Sequence, residues 1–216
     1  MKCLKLIFCL LYFCCSLAEA KEVQVDAQKE VDEMTGRLVA SYLEAKVDED
    51  IIAGYASALR SDGSFPDLDY VTVHEGSSYP AGSHLKRLKL MAIAYRKPGN
   101  KYYNSGRLLK QIVAGIDYWY RVRPKSGNWW FGDIGAPQDY MVPLILLKGK
   151  ISDKKLLHYS SYLQDLTGNK GHKGKNRTWV SAVTIHKGCI ENNIELKKGC
   201  LKLLSLLQKN CKNSSS

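Results

Sequence analysis

The fold is organised around one stretch, Ser126-Gly127-Asn128-Trp129-Trp130-Phe131-Gly132-Asp133-Ile134-Gly135-Ala136-Pro137. Three adjacent aromatic residues lie among three glycines, and a proline ends the run. No helical or strand period fits these residues, so the glycines and the proline predict a surface loop. Its rings could fill a gap between helices. Alternatively, they form a platform for a flat ligand such as a sugar ring, with the Asn128 amide beside them.

The segments on both sides of this loop are helical. Apolar residues recur every three or four positions in most of them, whereas the segment after Pro137 is apolar on every side, which is typical of a buried helix. No alternating pattern of useful length predicts a strand. The sequence therefore predicts an all-α domain of about eight helices, centred on 27–42, 51–59, 85–95, 108–119, 141–147, 156–166, 176–190 and 196–207.

The N-terminal residues 1–20 have the pattern of a signal peptide. Lys2 and Lys5 precede an apolar core, and Ala18-Glu19-Ala20 fits the rule for cleavage after small residues. We therefore expect cleavage near Ala20 and a secreted or periplasmic protein. No other stretch is long and apolar enough to predict a membrane span. Residues 21–210 form the predicted domain, and 211–216 are a polar tail.

The cysteines and the net charge limit the kinds of ligand that the protein could bind. After cleavage the chain keeps Cys189, Cys200 and Cys211, an odd number without a CxxC pair or a His/Cys cluster, so we predict no metal and no cofactor. The formal net charge is +11, or +10 without the signal peptide. An exported protein with this excess tends to bind polyanions, although the charge could also serve only solubility.

A second basic loop, 167–175, precedes Asn176. If paired helices gather their long loops at one end, as in helical toroids, the loops before Asn128 and Asn176 lie together. Rings, amides and positive charge suit an acidic sugar polymer. Its depolymerisation by β-elimination needs donors that neutralise the uronate carboxylate, a base and an acid. An Asn amide suits the first task. Asn176 could equally be the N-cap of the following helix.

Several of these segments resemble polysaccharide lyase family 8, the family of the chondroitin AC, hyaluronate and xanthan lyases. The resemblance is most specific at Asn128–Pro137 and covers nearly all of residues 21–210. The segments that carry it are Asp117-Tyr118-Trp119-Tyr120-Arg121-Val122-Arg123-Pro124-Lys125-Ser126-Gly127-Asn128-Trp129-Trp130, then Asp133-Ile134-Gly135-Ala136-Pro137, Gly174-Lys175-Asn176-Arg177-Thr178-Trp179 and Ser61-Asp62-Gly63-Ser64-Phe65.

The resemblance implies the N-terminal part of an (α/α) toroid. It implies that Asn128, Trp129 and Trp130 belong to an aromatic patch that positions the polymer. Asn176 would be the catalytic amide that neutralises the substrate carboxylate. The implied partner is an acidic polysaccharide such as chondroitin sulfate or hyaluronan rather than nucleic acid, and the implied activity is that of a carbon–oxygen lyase.

The sequence departs from the family pattern in its proton-transfer groups. The family's catalytic His and Tyr would follow the last helix, and His172 is the only plausible local substitute. No aromatic partner of the patch is evident just before Asn176. We therefore expect a lyase fragment that is inactive unless a separately encoded C-terminal fragment completes it.

Two alternatives remain open. The first is a non-catalytic binder of acidic polysaccharide. The second is a toroid glycoside hydrolase, which needs two carboxylates across a cleft. Near the aromatic loop only Asp133 and Asp139 could supply them, and Asp139 could instead be an acid in the first turn of a helix.

Overall fold

The computed structural model describes residues 28–163, 172–193 and 195. Within these residues the chain is helical and has no strand, which confirms the all-α prediction. The signal peptide, the helix near 196–207, the polar tail, Cys200 and Cys211 lie outside the described residues. The described helices are α1 (28–43), α2 (Glu49–Ala58), α3 (Gly82–Arg96), α4 (Gly106–Val122), α5 (Ala136–Leu147), α6 (Asp153–Ser160) and α7 (Gly174–Glu191), with one turn of π-helix at Phe131–Gly135.

Local side chains determine where several helices begin. Asp48 accepts hydrogen bonds from the backbone N–H groups of Asp50 and Ile51 at the start of α2. Ser105 caps α4 in the same manner, and Ser152 caps α6 as predicted. Each cap satisfies a donor that the first turn of a helix leaves unpaired.

Helix α6 is shorter than its predicted apolar stripe. It ends at Ser160, so Leu163 follows it in a turn although its side chain is buried. Leu157 is 49% exposed and does not face the core. The three- and four-residue spacing continued past the end of the helix because a buried turn residue gives the same signal as a helical one.

Helix α5 lies at the centre of the packing. It packs against both α3 and α7, and every residue from Tyr140 to Leu147 is buried. This confirms the interpretation of that segment as an interior helix. Helices adjacent along the chain also pack together, α2 with α3, α3 with α4, α5 with α6 and α6 with α7.

A partly buried polar network links the turn after α2 to the core. The Tyr70 hydroxyl accepts from the Phe65 N–H and lies 2.9 Å from Nδ1 of His84, whose Nε2 lies 2.9 Å from the Gly115 carbonyl oxygen. A carbonyl only accepts, so His84 carries its proton on Nε2 and accepts from Tyr70. Burial lowers the pKa of His84 from 6.5 to about 4, so the imidazole is neutral.

Gly63 permits the turn to lie against α4. Its φ is +90°, and a Cβ at this position would lie 2.1 Å from the carbonyl oxygen of Ala114. The Asp62 carboxylate closes the turn by accepting from both the backbone N–H and the hydroxyl of Ser64. Positive φ and close backbone contact together exclude any residue with a Cβ.

Gly63→Ala should destabilise the fold strongly. We expect the free energy of unfolding to fall by about 3 kcal/mol or more, because left-handed strain and a backbone clash add. Gly99→Ala is the matched control, since Gly99 has a φ of +84° and open space around it. Strain alone should cost that variant about 1–2 kcal/mol. Urea unfolding of both variants measures the difference, and equal losses would contradict the close packing at Gly63.

The stability of the fold should decrease in mild acid. The folded-state pKa of His84, about 4, lies below its ordinary value of 6.5, so the unfolded chain binds the proton more tightly. Above about pH 6.5 both states leave His84 largely unprotonated, so the free energy of unfolding has its full value. The free energy of unfolding falls as the pH decreases from there towards 4. Between about pH 7 and pH 5 we expect a loss of about 2 kcal/mol.

Denaturant titrations at the two pH values measure this loss. His84→Gln should reduce it, and the remainder should come from His186, whose pKa burial also lowers. The exposed His158 provides the control variant His158→Gln. A wild-type stability that does not change over this range would refute the assignment of His84 as a neutral buried base.

Candidate functional site

The stretch that was predicted as a loop is helical from Trp129 onward. Trp129 and Trp130 begin a helix that continues through the π turn at Phe131–Gly135 into α5. The loop prediction was therefore wrong beyond Asn128. A π turn inserts an extra residue, so the apolar positions do not repeat at 3.6, and such turns occur frequently at functional sites.

Two local contacts explain this conformation. The Asn128 side-chain oxygen accepts from the Trp130 N–H at 3.0 Å and so caps the first turn. A Cβ on Gly135 would lie 2.7 Å from the ring of Trp130. The missing side chain at Gly135 thus leaves space for the indole along the π turn.

Asn128 is also braced by the segment after α2. Its Nδ2 donates to the Gly76 carbonyl oxygen at 2.7 Å, and the Gly127 N–H donates to the His74 carbonyl oxygen at 3.0 Å. The side-chain amide of Asn128 therefore connects Trp130 with Gly76, and it retains one N–H and one lone pair for other partners.

The aromatic rings meet residues from the second loop and α7. Trp129 is 54% exposed, and its ring stacks on His172 with centroids 5.6 Å apart and planes inclined by 21°. Trp130 contacts Trp179 edge to face at 5.7 Å and Phe131 at 5.3 Å. The two segments are thus brought together, as expected from the sequence.

The sequence did not predict that His172 and Trp179 contact these rings. No aromatic partner was evident just before Asn176, and His172 was considered only as a base. A flat imidazole in a glycine-bearing basic loop was the available signal. We use the term aromatic platform for Trp129, Trp130, His172 and Trp179.

Asn176 is the third residue of α7 and not its N-cap. Lys173 occupies the N-cap position and makes no side-chain cap bond, so the capping interpretation of Asn176 was wrong. Asn176 is partly exposed, and its amide makes no hydrogen bond within the described ranges. It precedes Trp179 by three positions and therefore shares a face of α7 with that ring.

Positive charge surrounds this face. Lys173, Lys175 and Arg177 are exposed at the start of α7, where the helix dipole adds to their field. Among the candidate carboxylates, Asp139 lies in the first turn of α5 and pairs with Lys89 at 3.4 Å. That pairing fits the interpretation of Asp139 as a helix acid.

The buried histidines and tyrosines of the described residues have pKa values shifted away from the neutral range. His84 and His186 are buried, and burial lowers the pKa of each. Burial raises the pKa of Tyr42 and Tyr70 to about 12, and raises that of Tyr79 further. A tyrosine with a raised pKa is a poorer base precursor at neutral pH.

The described ranges contain no group of three or more His, Cys, Asp or Glu side chains that could hold a metal ion. They also contain no helix of the length and apolarity needed to cross a membrane.

Three known proteins have sequences similar to that of this chain. The chain is 27% identical to chondroitinase-AC of Pedobacter heparinus over 150 residues, covering 68% of this chain and 21% of that protein. It is 30% identical over 112 residues to hyaluronate lyase HylB of Enterococcus faecalis, covering 46% of this chain and 11% of that protein. Xanthan lyase of Bacillus sp. strain GL1 is 28% identical over 53% of this chain and 13% of that protein. The matches thus span between a tenth and a quarter of the length of each relative.

Solved structures share the fold. A chondroitinase AC lyase studied in oligosaccharide complexes aligns with a TM-score of 0.72 at 22% identity, over 80% of this chain and 26% of that one. Paenibacillus xanthan lyase aligns with a TM-score of 0.60 at 19% identity, over 74% of this chain and 16% of that one. The described helices therefore form part of the same α-helical domain, in agreement with the predicted partial toroid. The family model for the N-terminal alpha-helical domain of polysaccharide lyase family 8 matches residues 29–212, and the chain therefore belongs to that family.

Proposed function

We propose that this protein binds an acidic polysaccharide, such as chondroitin sulfate or hyaluronan, and orients it for cleavage by β-elimination. The observation that carries the proposal is the exposed Trp129 ring stacked on His172, beside the basic first turn of α7. The related proteins named chondroitinase-AC and hyaluronate lyase support this class of substrate.

The aromatic platform would bind the polymer through its sugar faces. The exposed face of Trp129 offers a flat apolar surface to the C–H groups of a pyranose ring, and His172 fixes the indole from behind. Trp130 is held by Trp179 and Phe131, so it would meet the next sugar with little loss of rotamer freedom. Asn128 would add the remaining N–H of its amide.

Asn176 would neutralise the uronate carboxylate. Hydrogen bonds from its uncharged amide would disperse the carboxylate charge, which acidifies the proton on the adjacent carbon. A base then removes that proton, the electron pair forms the double bond, and the bond to the leaving oxygen breaks. An acid protonates that oxygen. The amide lacks a full charge, so it would not trap the anionic product.

The proton-transfer groups would come from outside the described residues. Burial raises the pKa of Tyr42 and Tyr70. Burial lowers the pKa of His84 and His186, so both imidazoles are neutral. We therefore propose that a further lyase segment, such as a separately encoded C-terminal fragment, completes the active site. We also propose that residues 1–20 direct export, because Lys2, Lys5, the apolar core and Ala18-Glu19-Ala20 have the pattern of a signal peptide. A binder without catalysis is the alternative function.

The absorbance of the unsaturated uronate product tests the catalytic part of the proposal. The full chain is incubated with chondroitin sulfate and with hyaluronan, alone and with the proposed completing fragment. A rise only in the mixture, abolished by Asn176→Ala, supports a completed lyase. A rise with the chain alone would refute the need for a second fragment. No rise in either, with polymer still bound, would favour the non-catalytic binder.

Trp129→Ala should weaken binding of chondroitin sulfate by about tenfold or more, because a stacked ring contributes roughly 1–2 kcal/mol. His172→Ala should give a smaller loss, since it removes only the support for the indole. Tyr103→Ala is the matched control, because Tyr103 is 46% exposed and lies in the turn before α4. Affinity electrophoresis measures the change. Equal retardation of wild type and Trp129→Ala would refute the platform.

Asn176→Asp should weaken binding more than Asn176→Ala. The new carboxylate would repel the uronate group, whereas alanine only removes the donors, and we expect about tenfold between the two variants. Asn104→Asp controls for the change in net charge, because Asn104 is exposed in the connection before α4. Titration calorimetry with hyaluronan measures the affinities. If Asn176→Asp matches Asn104→Asp, Asn176 does not face the uronate.

A further inference from the structure

A small cavity lies beside the aromatic platform, between the first half of α3 and the π turn. Its volume is about 140 Å³. Three rings line it, Tyr79, Trp130 and Phe131, together with the polar side chains of Lys86, Gln138 and Asp139. Apolar walls with a few convergent polar groups are typical of ligand sites.

The rings of this cavity are held in place. The Tyr79 hydroxyl donates to the Pro124 carbonyl oxygen at 2.8 Å, and its ring lies 5.2 Å from that of Phe131. A Cβ on Gly82 would lie 2.7 Å from the Tyr79 ring, so the missing side chain leaves space for it. The cavity is thus formed before any ligand binds.

The two charged side chains that line the cavity, Lys86 and Asp139, differ in their ion pairing. Asp139 is paired with Lys89, which leaves Lys86 without an ion pair among the residues that the structure describes. Lys86 and Lys89 are three positions apart and share a face of α3. The Gln138 amide adds a donor and an acceptor without charge. This combination favours an anion that also carries hydroxyl groups.

The size of the cavity limits the ligand. A volume of about 140 Å³ exceeds the roughly 30 Å³ of one water but lies below the roughly 300 Å³ of a small-molecule pocket. It can hold one charged substituent with the adjacent part of its sugar ring.

We propose that this cavity is a subsite for one anionic substituent of the polysaccharide, a sulfate ester or a uronate carboxylate. Lys86 pairs with the anionic oxygens, Gln138 binds a neighbouring hydroxyl group, and the ring of Trp130 covers the sugar. This subsite rests on the proposed function and adds a residue that selects for substrate charge.

Lys86→Met tests the subsite, because methionine keeps an unbranched apolar stem and removes the charge. Lys110→Met is the matched control, since Lys110 is also exposed, lies on α4 and does not line the cavity. Titration calorimetry uses oligosaccharides of equal length from chondroitin sulfate, unsulfated chondroitin and hyaluronan. Thermal unfolding verifies that both variants remain folded.

We expect Lys86→Met to bind chondroitin sulfate about tenfold more weakly than Lys110→Met does. A loss restricted to the sulfated ligand identifies the sulfate ester as the partner, and an equal loss on all three identifies the carboxylate. If both variants lose the same affinity while Trp129→Ala still weakens binding as predicted, the subsite is refuted and the proposed function stands. If wild type binds none of the three ligands, both are refuted.

Discussion

The complete burial of helix α5 is the constraint on which the rest of the structure depends. This helix packs against α3 and α7, and it continues directly from the π turn that carries the aromatic residues. Any displacement of α5 would therefore move Trp130 relative to Trp179. Because the interior is closely packed, the core restricts movement of the aromatic platform.

The platform is also braced from the segment after α2. Residues 74–76 hold Gly127 and Asn128 by backbone and side-chain hydrogen bonds. The turn that precedes this segment is in turn anchored to α4 through Gly63 and to the core through Tyr70 and His84. A chain of contacts thus connects the Ser61–Phe65 turn with the aromatic site, which gives both segments a part in one arrangement.

The same side-chain type serves different purposes according to its burial. His84 is enclosed and neutral, and its two nitrogens satisfy a hydroxyl and a carbonyl. His172 is only partly buried, and its ring stacks on an exposed indole. Lysines differ likewise, since Lys89 is paired with Asp139, whereas Lys86 lines a cavity and has no ion pair with any residue that the structure describes. Composition alone does not distinguish these cases, because each depends on neighbours distant in sequence.

The sequence by itself determined the all-α class, most helix ranges, the buried character of α5 and the family. These follow from spacing, capping residues and short motifs, which are local properties of the chain. Only the tertiary structure decided that Trp129–Gly135 is helical, that His172 stacks on Trp129 and that Asn176 lies inside α7. The cavity beside Lys86 was also evident only from the tertiary structure. These features arise from contacts between segments far apart in the chain. The local spacing of apolar residues does not indicate such contacts.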